Sequence, residues 1–255
     1  MAIKSSYLFA STFSLLLSLN FLTIPSQSAY AQAATKGVSK GQKIRYIPPK
    51  DLGILSKSIP GIFRGDECIQ DIDVTCVSAL IPDAKPTLNT SPLTISARPT
   101  FFFSVPKIRS RATFILDEVD ATGKNTRIYK STFPVESTSG VIGFTMPADA
   151  PALKVNKIYA WKFILKDINT DKDVLGTVHR IELSPSLSKQ LENVPPLERA
   201  ALYAKLGIWY DSVKILAEIQ QADPNRKQPL PEWVDLLKSV NLERLAMRPL
   251  VKMRL

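Results

Sequence analysis

Between residues 93 and 183 apolar positions alternate with polar ones, and beyond Ser184 they recur every three to four residues, so strand-forming sequence is followed by helix-forming sequence. The clearest alternation lies in 157–167, where Tyr159, Trp161, Phe163 and Leu165 share one face while Lys162 and Lys166 fall on the other. A strand with one aromatic and one solvated face needs a covering layer, which predicts a two-layer antiparallel domain. The remaining predicted strands are 93–97, 100–105, 112–119, 126–135, 141–146 and 174–183, bounded by proline, glycine or short polar runs such as Val105-Pro106 and Ser139-Gly140. Short strands at this spacing predict an α+β chain: a β-sandwich of immunoglobulin-like size, lacking the cysteine pair across its core, and then a small helical unit.

In the helical part Pro195-Pro196 opens a first helix, Gly207 ends it, 208–222 forms a second, and Pro231 starts a third. The third carries Trp233, Leu236, Leu237 and Val240 on one face. The spacing Tyr203, Gly207, Trp209, Ser212, Leu216, Ile219, Pro224-Asn225 is similar to the latter two-thirds of a tetratricopeptide repeat. One copy cannot bury its own face, so the expectation is a hairpin anchored on the third helix or on the sandwich. Trp209, Tyr210 and Trp233 are candidate partner contacts if exposed, and anchors of the hairpin if buried.

Ahead of the strands stands Lys4, an apolar run over 7–24, Pro25 and the small-x-small triplet Ala29-Tyr30-Ala31, which together predict a signal peptide over 1–31 cleaved before Gln32. A retained membrane anchor is disfavoured because Ser11, Thr12, Ser14, Ser18 and Asn20 dilute the run. The mature chain is then predicted to hold a basic flexible arm over 32–57, a β domain over 58–184 and a helical region over 185–255. Removing Lys4 leaves 32 basic and 23 acidic residues, a net charge of +9. Five cations, Lys36, Lys40, Lys43, Arg45 and Lys50, fall in the arm before its first acid, Asp51. Periplasm or cell envelope is the expected location, with an envelope protein or an anionic wall polymer as partner; export argues against nucleic acid. In an oxidising compartment Cys68 and Cys76 are expected to form a disulfide that shapes a short loop.

Chemistry-bearing residues are sparse. His179 is the single histidine, it sits in a predicted strand as a surface or edge residue, and no G-x-S-x-G elbow accompanies it. Cys68, Cys76 and His179 fall short of a zinc set. Asp167, Asn169, Asp171 and Asp173 alternate like the opening of a calcium loop, but Lys172 replaces the turn glycine and Val178 the bidentate glutamate, which favours a polar hairpin turn. A second acidic cluster, Asp66, Glu67, Asp71 and Asp73, has no ligand spacing. No cofactor is expected, and the best reading is a non-enzymatic envelope binding or assembly protein acting through protein contacts, with a wall- or polysaccharide-binding module that uses the basic arm as the alternative and an unrecognised hydrolase behind both.

The stretches Pro99-Thr100-Phe101-Phe102-Phe103-Ser104-Val105-Pro106, Tyr159-Ala160-Trp161, 176–181 and 201–211 occur in an order that resembles a cyanobacterial family of exported proteins, the domain-of-unknown-function family 928. The likeness covers about 64–240, none of its motifs is catalytic, and Ile62-Phe63 departs from the glycine expected before Arg64-Gly65. What the resemblance implies is a cyanobacterial envelope location and a β domain followed by helices.

Overall fold

A computed structural model describes residues 43–49, 76–82, 91–166, 171–223 and 225–251. Among these residues the chain is α+β, a six-stranded sheet followed by five short helices. The strands are β1 (Ser78–Ala79), β2 (Leu93–Thr94), β3 (Thr100–Val119), β4 (Asn125–Thr145), β5 (Lys157–Leu165) and β6 (Lys172–Arg180). The helices are α1 (Pro185–Leu191), α2 (Pro196–Lys205), α3 (Trp209–Gln221), α4 (Pro231–Lys238) and α5 (Glu243–Ala246).

β3 and β4 form a hairpin of 20 and 21 residues, far longer than the strands expected from the sequence. β4 follows one edge of β3 from Thr100 to Val119. The other edge is shared: β1 pairs with Phe103 and Ser104, and β5 pairs with the second half from Ala112 onward. β6 continues antiparallel to β5, and β2 joins β6 in parallel, so the sheet is not purely antiparallel as expected.

The predicted strands 100–105 and 112–119 are the two halves of β3, and 126–135 and 141–146 are the two halves of β4. What separates the halves is a change of face. Before Pro106 the β3 residues packed around Trp161 and the rest of the sheet are Phe101, Phe103 and Val105, while Phe102 is buried against Trp233 instead, and after it the core positions are Ala112, Phe114 and Leu116, an exchange of odd for even positions. β4 changes in the same way between Val135 and Ile142. Pro106 has no amide hydrogen for a ladder bond, and Ser139, across from it, takes a left-handed φ of 80°. Because both strands switch at the same rung, Val105 pairs with Gly140 and Lys107 with Thr138 without a register shift.

The switch lets the hairpin bend over on itself. Phe101 reaches Phe114 at a ring-centroid distance of 4.8 Å, and Phe103 stacks on Phe163 of β5 at 4.0 Å. The expected two-sheet sandwich is therefore corrected: the described strands belong to one sheet, and its first half covers the aromatic face of its second. Trp161 completes this core against Phe101, and its cross-strand partner is Gly176, where a Cβ would come 2.5 Å from the indole.

The helix starts follow local chemistry. Pro185, Pro196 and Pro231 open α1, α2 and α4, and the Ser184 hydroxyl accepts the Leu187 amide of α1 at 3.3 Å. α2 and α3 pair through the turn at Gly207, whose φ of 75° suits glycine, and Ser212 Oγ donates to the Ala200 carbonyl at 2.8 Å. The first turn of α3 then closes the sheet. Trp209 Nε1 donates to the Leu80 carbonyl beside β1 at 2.9 Å, while the next residue's hydroxyl, Tyr210 OH, donates to the Thr177 carbonyl of β6 at 2.7 Å.

The flexible arm expected over 32–57 is described only over 43–49, and there it is seated on the helices. Ile44 is buried, the Ile47 amide donates to the Ala204 carbonyl at 3.0 Å, and Tyr46 meets Trp209 edge-on at 5.2 Å. Ile44, Tyr46 and Pro49 give this short stretch something to bury, which the count of cations conceals. Among the described residues no helix is long and apolar enough to cross a membrane.

Candidate functional site

The candidate partner contacts Trp209, Tyr210 and Trp233 are corrected by their burial: all three are inside, and their polar atoms are used there. Trp209 and Tyr210 staple the sheet as described, Trp161 Nε1 donates to Tyr210 OH at 2.9 Å, and Trp233 Nε1 donates to the Ala246 carbonyl at 3.2 Å. Burial pushes the Tyr210 phenol well above its ordinary range, so it stays a neutral donor.

His179 is not the surface or edge residue expected from its place beside Arg180. It is buried, its Nε2 has no hydrogen-bond partner, and burial lowers its pKa to about 4. A neighbouring site is structural too. Asp211, in the first turn of α3, accepts from Thr94 Oγ1 at 2.8 Å and from the Ile95 amide at 3.1 Å, tying β2 to the helix. Burial raises its pKa against the lowering effect of those two bonds.

Of the weak calcium candidates, Asp167 and Asn169 lie outside the described residues. Asp171 and Asp173 form ion pairs with Lys166 and Lys162, respectively. Among the described residues no cluster of three or more histidine, cysteine or acidic side chains has the arrangement of a metal site. Cys76 precedes β1, whereas Cys68 lies outside the described residues.

Among the described residues a cleft of about 460 Å³ lies between the end of α3, the loop leading to α4, and the segment after α5. Arg226, Lys227 and Arg248 bring three cations to its lining against one carboxylate, Asp223, and Gln220, Gln221 and Gln228 add amides. Met247, Pro249 and Leu250 supply apolar surface, and Met247 is 61% exposed. A large apolar side chain that open to solvent, in a concave and basic setting, suits contact with another molecule.

The cleft is held by the bend. Arg248 Nη2 donates to the Val105 carbonyl at 3.0 Å and to Ser139 Oγ at 2.5 Å, the two positions flanking the change of face. Its partial burial lowers its pKa, an effect on a group that stays cationic. The next residues add to the edge of β4: the Val141 amide donates to the Pro249 carbonyl at 2.8 Å, and the Val251 amide to the Val141 carbonyl at 2.9 Å. Gly140 allows this approach, since a Cβ there would lie 2.4 Å from the Pro249 oxygen. On the loop side, Gln220 Oε1 accepts the Leu230 amide at 2.8 Å, and Arg226 pairs with Asp223 at 3.6 Å.

None of the cleft residues was singled out by the sequence. Arg226-Lys227 and Arg248-Pro249 stand 20 residues apart in non-periodic stretches, and only the return of the chain to the bend unites them. Exposed Met247 carried no signal because it directly follows the apolar Leu245-Ala246 of α5.

The chain matches the family described as Domain of Unknown Function (DUF928) over residues 59–250, and it belongs to that family. No curated protein matches it.

Proposed function

We propose that the chain is an exported, non-enzymatic protein of the cyanobacterial cell envelope that acts by binding or assembling with another protein. The observation that carries this reading is the cleft lined by Met247, where an exposed apolar residue lies among cations. The leader over 1–31 supports export, and a Cys68–Cys76 disulfide would suit the same compartment. In this reading the α2–α3 pair is a tetratricopeptide-like hairpin used for anchoring, with its aromatic residues turned inward.

The test is a photo-crosslinking side chain placed at position 247 of the full chain in cells. A discrete protein adduct at that position, and none from a probe at Lys189 on α1, is the expected result. Crosslinks to no protein from either position would reject the reading.

A second reading, retention on an anionic wall polymer, is favoured by one surface feature. Lys107, Arg109 and Arg111 lie on one exposed face of β3, and none forms an ion pair with another described residue. Alternate strand residues repeat about every 6.6 Å, so the row presents charge at a regular interval. Retention on peptidoglycan or anionic glycan that is unchanged when salt is raised several-fold would exclude it.

A further inference from the structure

The cleft has a chemistry specific enough to describe its occupant, an inference that rests on the protein-contact reading above. We propose that it takes an extended acidic polypeptide segment bearing at least one apolar side chain. The charge balance supplies the first half of the argument: Arg226, Lys227 and Arg248 outnumber the single carboxylate, Asp223. Among the described residues the Arg248 side chain makes both of its hydrogen bonds through Nη2, and a guanidinium carries five N–H donors, so it can hold the bend and still donate to a carboxylate.

The second half comes from the apolar residues. Met247, Pro249 and Leu250 offer surface that an acidic polysaccharide has no side chain to cover, whereas a leucine or phenylalanine of a peptide would remove it from water. Methionine adapts to differently shaped apolar partners, which suits an anchor position. The glutamine amides match the donors and acceptors of an extended backbone. Gln220 is already fixed through its Oε1, leaving its amide nitrogen to donate.

Binding of fluorescein-labelled peptides to the full-length protein, followed by anisotropy, tests this. The probes are a short glutamate peptide with interspersed leucines and an all-glutamate peptide of the same length, with polygalacturonate as competitor. The leucine-containing peptide is expected to bind more tightly than the all-glutamate one. Lys227→Glu and Met247→Ser are each expected to weaken it about tenfold, whereas Lys189→Glu leaves it unchanged. Both cleft side chains are exposed, so the variants should fold, which circular dichroism would verify.

Equal binding of the two peptides, or full affinity in both cleft variants, would overturn the assignment. So would displacement of the peptide by polygalacturonate with a tighter affinity of its own. A protein adduct at position 247 together with any of these results would leave the protein-contact reading standing and reject only this description of its partner.

Discussion

Phe101 and Phe114 are thirteen positions apart on one strand, yet their ring centroids lie 4.8 Å from each other. Drawn out straight, thirteen strand residues would span about 43 Å. The strand therefore doubles back within its own length, and the core depends on the rung formed by Pro106 and Ser139. Ser139 holds a left-handed φ of 80°, which a β-branched residue adopts only under strain. Ser139→Val is expected to destabilise the fold by about 1–3 kcal/mol, and Ser139→Gly by less, as measured by urea denaturation. Equal stability of the two variants would mean that the bend does not depend on this backbone conformation.

Gly176 lies beneath the Trp161 indole, with the Ile81 side chain 2.7 Å from where a Cβ would be. Neither neighbour is free to retreat, because Trp161 is hydrogen-bonded to Tyr210 and both are buried. Gly176→Ala should cost about 1–3 kcal/mol through overpacking. A rise in Tm would show that the indole can shift.

His179 gives the fold a dependence on acid. Its folded pKa of about 4 is below its ordinary value of 6.5, so the native state favours the neutral ring. Its contribution is fully present above the unfolded pKa and is lost as pH falls from about 6.5 towards 4, by a total of about 3 kcal/mol. Asp211, whose pKa is raised, acts in the opposite direction over the carboxylate range, its charged form being the disfavoured one in the fold. Whatever its stability at neutral pH, His179→Gln should flatten the decline between pH 6.5 and 4.5 in a series of urea titrations. An unchanged slope would assign the acid sensitivity to other groups.

Trp209 bears on both the sheet and the segment 43–49. Trp209→Ala removes a fully buried side chain, leaves the Leu80 carbonyl without its donor and takes away the edge-on partner of Tyr46. The expected loss is about 3–5 kcal/mol, together with faster proteolysis around residues 43–49. Retained stability would return Trp209 to the role of a surface contact.

Much of the helical part was legible because prolines mark its starts. Pro196, Pro231 and the turn at Gly207 fall where the sequence places them, whereas the seven residues of α1 show too little period to be legible. In the sheet the alternation is legible within each half of β3 and β4, but a break in phase reads like the end of a strand. Locally the two look alike: Pro106 and Ser139-Gly140 carry the residue types of a turn. Only pairing across the hairpin, Val105 with Gly140 and Lys107 with Thr138, shows that the ladder continues. The cleft was illegible for a different reason. It is made by the meeting of Ser139 and Arg248, 109 positions apart, and neither residue type announces such a meeting.

That meeting also sets an order of events. The edge of β4 at Val141 is completed by Pro249 and Val251, which a ribosome adds more than a hundred residues after the hairpin itself. Until then the hairpin lacks the guanidinium that clasps Val105 and Ser139. A chain ending at Met247 is expected to keep its helices by circular dichroism yet open to protease between residues 134 and 141; resistance equal to that of the full chain would show the clasp to be dispensable. For a chain proposed to be exported, such a late clasp would delay closure of the bend, leaving the hairpin threadable until residues 248–251 are in place.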